Sequence, residues 1–347
     1  MTRAVRYIAA RTLDTAPAES SPPGPGEVEV APAYVGICGT DLHIFHGDMD
    51  TRVHAPAVLG HEMSGRIVRV GPEVEGWQPG DAVTVMPLRW DDTCPACRAG
   101  HQHICQHLDF IGIDSPGAMQ QRWTIPAHTL LRLPDSVPLD RAALVEPTAV
   151  AVHDVGRAEV SDGERVVVVG GGPVGVLIAL VARAAGAEVR VVELSAHRRL
   201  LAEKLGLATW NPAAANVPEL VREWTGDAGA DVAFEVSGAA AGMDTAVDVL
   251  GVRGRLCLVA IHPQPREVNL HRFFWRELTL VGARLYDRSD FERAVTLVAD
   301  GTIPAEQLIS KVVPLAEAPS AFEALEAGGD VMKILVDCTD KAEENLV

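Results

Sequence analysis

Three short stretches of the chain carry side chains of metal-binding type. "DDTCPACRAGHQHIC", Asp91 to Cys105, sets Cys94, Cys97 and Cys105 at C-x2-C-x7-C spacing. Such a cluster usually needs a fourth ligand, and three residues before Cys94 the chain has Asp91 in place of a cysteine. "GICGTDLH" and "LGHEMSG" add Cys38, His61 and Glu62. These are a thiolate, an imidazole and a carboxylate, all donors that zinc takes readily. Each also has a plain structural reading. A buried cysteine usually acts as a small hydrophobe, and a single histidine is usually a hydrogen-bonded structural residue. The H-E-x-x-H metalloprotease motif is excluded, because its second histidine is missing after His61.

A fourth stretch, "RVVVVGGGPVG", has the chemistry of a phosphate cradle. Gly170, Gly172 and Gly175 make G-x-G-x-x-G between a predicted strand and a predicted helix, with Pro173 and Val174 opening that helix. The glycines permit a tight turn, close backbone approach to a pyrophosphate and close helix–strand packing, while the helix N-terminus supplies N–H groups. Glu193 ends the next predicted strand, where a carboxylate accepts hydrogen bonds from both ribose hydroxyls. That favours NAD over NADP, since a 2′-phosphate would meet a like charge. Arg198 and Arg199 follow, within reach of a phosphate or as solvated helix charges.

"GHEMSGRIVRVGPEV" and "CGTDLH" together resemble the two catalytic-zinc signatures of the medium-chain alcohol dehydrogenases, and the resemblance covers nearly the whole chain. Within that family the chain is similar to the branch of polyol, sorbitol, 2,3-butanediol and threonine dehydrogenases, because "VEPTAV" carries Glu146 where the classical enzymes have a cysteine ligand. The resemblance implies Cys38, His61 and Glu62 on a catalytic zinc, with Glu146 bound directly or through water. It implies proton exit through Thr40 and His43. It also implies a separate structural zinc on Asp91, Cys94, Cys97 and Cys105, with Asp92 and His103 as alternative fourth ligands. Phe110, Ile111, Arg284 and Tyr286 would line the pocket, and the spacing of Tyr286, Asp290 and Phe291 is similar to butanediol dehydrogenases. Core packing is an equal account of Phe110, Phe273 and Phe274.

The activity so implied is hydride transfer between NAD and a secondary alcohol of a diol, polyol or cyclitol. Threonine-dehydrogenase-like or sugar dehydrogenase activity, and a catalytically silent dinucleotide binder, are the alternatives. A homodimer or homotetramer is the family expectation, with "LTLVGA" as the pairing edge.

These residues need two kinds of scaffold. Up to about residue 150, short alternating strands such as "GEVEVAPAYVG" and "GRIVRVG" are punctuated by Gly and Pro, which predicts a β-rich, barrel-like domain. "LPDSVPLDRAALVEPTAVAVHDV" turns helical as a connector. From Glu164 strands and helices alternate, predicting a doubly wound parallel sheet of Rossmann type. The helix "DFERAVTLVADG" and the strand "KILVDC" then return to the first domain. With the family resemblance, the expected class is α/β: a GroES-like catalytic domain over 1–150 and 286–347, and a nucleotide-binding domain over 151–285.

Composition agrees with a small-molecule enzyme. A net charge of −17 repels phosphate backbones and anionic lipid, so neither nucleic acid nor membrane is an expected partner. Six cysteines, three of them at metal spacing, suit a reducing compartment, and a cytoplasmic location is expected.

Overall fold

The computed structural model describes residues 2–262 and 264–339. They fall into two compact units, divided between Glu146 and Pro147 and again between Tyr286 and Asp287.

The first unit is built on a seven-stranded sheet. Its strands run in the order Leu130–Arg132, Ala82–Val85, Glu62–Val70, Glu27–Gly36, Lys333–Asp337 and Ile309–Pro314, with Trp123–Pro126 also pairing to Glu27–Gly36. Among the described residues no pairing joins the two ends of this path, so the expected barrel is an open sheet by hydrogen bonding. A three-stranded sheet of Thr12–Ala18, Thr2–Ala9 and Ala57–Val58 accompanies it. The strand Lys333–Asp337 is buried along nearly its whole length, as expected for a strand with neighbours on both sides. It runs antiparallel to Glu27–Gly36 and parallel to Ile309–Pro314, which draws the C-terminal part of the chain into the first unit.

The second unit is a six-stranded parallel sheet. Its order is Ala208–Trp210, Glu188–Val192, Arg165–Val169, Ala230–Glu235, Leu250–Leu258 and Thr279–Gly282. The first of these strands in sequence order, the valine run "RVVVV", lies at the centre of the sheet and is buried over its last four residues. β-Branched side chains suit that position because both faces are covered. Pro173 opens the following helix, Pro173–Ala184, where its fixed φ and missing N–H cost nothing.

The predicted connector is two helices, Leu139–Ala142 and Val145–Arg157, and the boundary between the units falls inside the second. Phe274 does not pack in a core: it is 79% exposed, whereas Phe273 packs partly buried against the core of the second unit. Asp290 caps the helix Arg288–Ala299, accepting from the Asp287 N–H, and Phe291 is fully buried. The "DF" pair is therefore a capping and packing signal. Among the described residues no helix is long and apolar enough to cross a membrane.

Candidate active site

Strand register brings the metal-type side chains of the first unit together. Glu27–Gly36 pairs with Glu62–Val70 so that Gly36 stands opposite Glu62, and on its other side Gly36 stands opposite Leu335. Two residues beyond Gly36, Cys38 caps the helix Gly39–His46. His61 immediately precedes the strand that Glu62 begins. Ligand atoms of Cys38, His61 and Glu62 lie within 4.8 Å of one another. A Cβ added at Gly36 would overlap the Glu62 carboxylate, so glycine is what admits this side chain.

Behind these three stands Asp41, which the sequence reading passed over. It is fully buried, its Oδ2 accepts from the Cys38 N–H at 2.9 Å, and its Oδ1 lies 3.7 Å from His61 Nδ1. A carboxylate behind a histidine is the usual second layer of a metal site, and it leaves Nε2 for the ion. Lys333, also unforeseen, is 4% exposed. Its Nζ donates to the Ile37 carbonyl at 3.1 Å and to Glu62 Oε1 at 2.6 Å, with Oε2 in ion-pair contact outside hydrogen-bonding geometry. Breaking a buried pair of this kind costs roughly 3–5 kcal/mol.

The electrostatics of the cluster fit a cation. Burial pulls His61 down, but Asp41, Cys38 and Glu146 outweigh it and push the imidazole up to about 10. Burial raises Asp41, with His61 opposing, and Lys333 is held above its ordinary value by Glu62 and Cys38 against its own burial. Buried side chains that hold a proton this strongly carry surplus negative charge, which a divalent ion resolves in the proton's place. Asp41 Oδ1, His61 Nδ1 and Glu62 Oε2 are buried without a hydrogen-bond partner. Leaving a buried polar atom so costs roughly 1–3 kcal/mol; Asp41 Oδ1 and His61 Nδ1 face each other at 3.7 Å, and Glu62 Oε2 is in contact with the Lys333 ammonium. Sulfur, nitrogen and oxygen donors with a fourth position open are a donor set of the catalytic zinc type.

The other residues expected at this site divide. Glu146 is buried and acts electrostatically on His61 and Lys333, but it is outside the close group of three. Phe110 is buried edge-on to His61, with ring centroids 5.1 Å apart, and Ile111 beside it is also buried. Thr40 and His43 lie on the helix Gly39–His46, and the His43 side chain is 45% exposed, its Nδ1 3.1 Å from Asp48 Oδ2. In the second unit Tyr286 is fully buried.

The cysteine lobe forms a separate cluster. Asp91, Cys94, Cys97 and Cys105 each offer a ligand atom within 4.8 Å of the others. The Cys94 and Cys105 sulfurs are 3.8 Å apart and all six cysteines are free thiols. A tetrahedron with Zn–S bonds of about 2.3 Å has S–S edges of about 3.8 Å, so the spacing matches. Backbone N–H groups of Cys97 and Gln106 pull the Cys94 thiol down to about 7. Asp91 Oδ1 accepts from the Thr93 and Cys94 N–H groups, both at 2.9 Å, while Oδ2 meets His107 Nδ1 at 2.5 Å. His107, unmentioned by the sequence reading, holds the Asp91 carboxylate well below its usual range. The two alternatives face elsewhere: Asp92 accepts from Trp90 Nε1, and His103 Nδ1 lies 2.8 Å from Asp287 Oδ1.

In the second unit the glycine fingerprint forms a turn from strand to helix. Gly170 has φ of +111°, which glycine alone adopts readily. A Cβ at Gly175 would overlap the Gly170 carbonyl. The helix then starts at Pro173 after Gly172, and no side chain caps it, so its first N–H groups are suited to an anion. Glu193 ties this loop to the next strand: Oε2 accepts from the Gly171 N–H and Oε1 from the Ser195 N–H, both at 2.7 Å. Of the two arginines, Arg199 is committed to the Glu193 and Leu194 carbonyls at 2.9 and 2.6 Å. Arg198 Nη1 is the one near Gly172 at the helix start.

Comparison with known proteins agrees with both halves. Residues 24–135 match the alcohol dehydrogenase GroES-like domain and residues 173–300 the zinc-binding dehydrogenase domain. The chain is 46% identical to the 2-dehydro-3-deoxy-L-galactonate 5-dehydrogenase of Pseudoalteromonas atlantica, over 96% of this chain and 98% of that protein. It is 32% identical to the L-galactonate-5-dehydrogenase of Escherichia coli, over 87% and 88%. A zinc-binding dehydrogenase from Sinorhizobium meliloti solved with NADP superposes with a TM-score of 0.91 at 31% identity, covering 97% of this chain and 99% of that one. With two domain matches in order and relatives aligned over most of its length, the chain belongs to the zinc-dependent medium-chain alcohol dehydrogenase family, the NAD(P)-dependent oxidoreductases of secondary alcohols.

Proposed function

We propose that the protein oxidises one secondary hydroxyl of a polyhydroxylated substrate with NAD, using a zinc ion held by Cys38, His61 and Glu62. The observation that carries this is the S, N, O donor cluster, with His61 and Glu62 buried, Cys38 half-buried and the ligand atoms within 4.8 Å of one another, and with Asp41 behind its histidine. When bound, the ion supplies Lewis acidity to the hydroxyl and the nicotinamide accepts the hydride, so the carbinol becomes a ketone in a balanced two-electron step. Thr40 relays the hydroxyl proton, accepting it as it releases its own toward His43, which passes a proton to solvent from its exposed position. Glu146, buried beside the cluster, serves as acceptor for a second substrate hydroxyl or for a water on the ion. Phe110 shields His61 and limits water.

Within the diol, polyol and cyclitol class, the similarity to two galactonate-type dehydrogenases supports a sugar acid bearing neighbouring hydroxyls as the first substrate to test. Glu193 supports NAD as the cofactor, because its carboxylate occupies the end of its strand where a 2′-phosphate would add like charge. Asp91, Cys94, Cys97 and Cys105 hold a second, structural zinc under the same reading.

The reading extends to a cytoplasmic homodimer or a tetramer built from it. The edge strand Thr279–Gly282 and exposed Leu270, Phe274, Trp275 and Leu280 form its interface. Assay of aldonates, deoxy sugar acids, polyols, vicinal diols and threonine with NAD and NADP tests the proposal. Turnover of a sugar acid or polyol with NAD, lost on chelation and restored by zinc, is expected. Zinc-loaded protein that reduces neither cofactor with any of these substrates would overturn it.

A further inference from the structure

We infer that His262 is a positioning residue of the dinucleotide half: seated on the buried Glu235 carboxylate, it presents the Arg266 guanidinium as a recognition point for an anion. The anionic group is a cofactor phosphate or the carboxylate of a sugar-acid substrate, so the inference rests on the functional reading above. Glu235 ends its strand fully buried, and its Oε1 accepts from the Ser237 N–H at 2.9 Å, the Ser237 hydroxyl at 2.5 Å and the Gly238 N–H at 3.1 Å. Its Oε2 meets His262 Nε2 at 2.9 Å. Arg266 Nε donates to the other ring nitrogen, Nδ1, at 3.1 Å, and Nη2 donates to the Gly238 carbonyl at 3.2 Å. A guanidinium nitrogen only donates, so Nδ1 is the acceptor and the ring proton sits on Nε2, toward Glu235. The neutral imidazole is thus a spacer between a buried anion and a half-buried cation.

Glu235 stands at the carboxyl end of the parallel sheet, where ligands of such sheets bind. Ser237 backs the fingerprint turn, since a Cβ added at Gly170 would come within 3.0 Å of the Ser237 backbone nitrogen. A Cβ at Gly242 would overlap the Ser237 hydroxyl and press on Glu235 Oε1, so that glycine leaves room for the carboxylate. The Val259 and Ala260 N–H groups both donate to the Glu235 carbonyl, at 3.0 and 3.1 Å. One residue thereby sets the exits of two neighbouring strands. Among the described residues Arg266 bonds only to neutral acceptors and has no ion-pair partner. Its remaining N–H donors keep the planar fork that suits a phosphate or a carboxylate. A merely solvated arginine has no such scaffold behind it.

The test measures dissociation constants of zinc-loaded wild type, R266Q, H262Q and H262Q/R266Q for two matched pairs of ligands, with melting temperatures alongside. One pair is NADH and reduced nicotinamide riboside, which lacks the phosphates. The other, offered to the NADH-bound protein, is an aldonate and the alditol with a hydroxymethyl group in place of its carboxylate. R266Q is expected to weaken the charged member of a pair about 10- to 100-fold more than the uncharged one, and the pair affected identifies the source of the anion. H262Q, whose amide still donates to Glu235 but places no acceptor where Nδ1 stands, should show the same selective loss to a smaller extent. Because His262 acts through Arg266, H262Q/R266Q should lose no more than R266Q. Losses of equal size within both pairs in R266Q, or no loss in either, would overturn the inference, as would a double variant whose effect equals the product of the singles. Should R266Q not fold, R266K, which keeps the charge without the fork, is expected to fold and to show the selective loss; unchanged binding overturns the inference. A wild type that binds neither NADH nor the aldonate would sink the functional reading and the inference with it, whereas normal wild-type binding without a charge-selective loss sinks the inference alone.

Discussion

Asp41 and His61 form a buried pair, Oδ1 to Nδ1 at 3.7 Å, in which the carboxylate is also bound to the backbone of Cys38. One side chain thus reaches two residues of the proposed zinc site, facing the imidazole and fixing the turn that carries the Cys38 thiol.

The D41N variant should therefore weaken zinc binding by about 10- to 100-fold while leaving NAD binding intact. Competition with a chromogenic chelator measures the first, and nucleotide titration the second. An unchanged zinc affinity would remove Asp41 from the site.

Asp91 is predicted to complete the cysteine lobe, with His107 holding its second oxygen. D91A should reduce the zinc content from about two ions per chain to about one and lower the melting temperature, since a structural zinc contributes directly to folding. H107A should keep both ions but lose one of them to chelator faster than wild type does. Two tightly held ions in D91A would show that another group is the fourth ligand.

Glu193 holds the fingerprint loop through Gly171 and retains lone pairs for ribose hydroxyls. E193A should raise KM for NAD about tenfold, the cost of roughly one charge-assisted hydrogen bond. It should also narrow the preference for NAD over NADP, because the repulsion of a 2′-phosphate is gone. The measurement is kcat/KM with each cofactor; a preference that does not move counts against this role.

The edge strand Thr279–Gly282 has no strand paired on its outer side within the described chain, and Phe274 and Trp275 are 79% and 73% exposed. Such an edge and patch together invite pairing. Replacing Leu280 and Trp275 with lysine and glutamate should produce a monomer in light scattering, with the parallel sheet still folded by circular dichroism. A wild type that is already monomeric at micromolar concentration would refute the interface.

Much of the site was legible because its chemistry depends on local spacing. The turn of Gly170, Gly172 and Gly175, the cysteine cluster and the pairing of His61 with Glu62 each lie within a short stretch, where backbone geometry follows residue by residue. Asp41 was within reach too, since it stands three residues after Cys38 at the spacing of a capping box. The polarity of Phe274 was not legible: an aromatic in an amphipathic helix signals burial, yet this one faces out of the described chain.

What sequence order alone determined was the set of donors, the nucleotide loop and the alternation that separates a β-rich half from a parallel α/β half. What only tertiary structure decided was who stands beside whom across the sheet. Lys333 and Glu62 are 271 residues apart, and no spacing rule connects them. Their meeting depends on the register that sets Gly36 against Glu62 on one side and Leu335 on the other. A shift of one residue in either ladder would turn those side chains to the opposite face. Donor types are written locally because each ligand needs only its own turn, whereas the charge balance of a buried site is a sum over strands that meet only after folding.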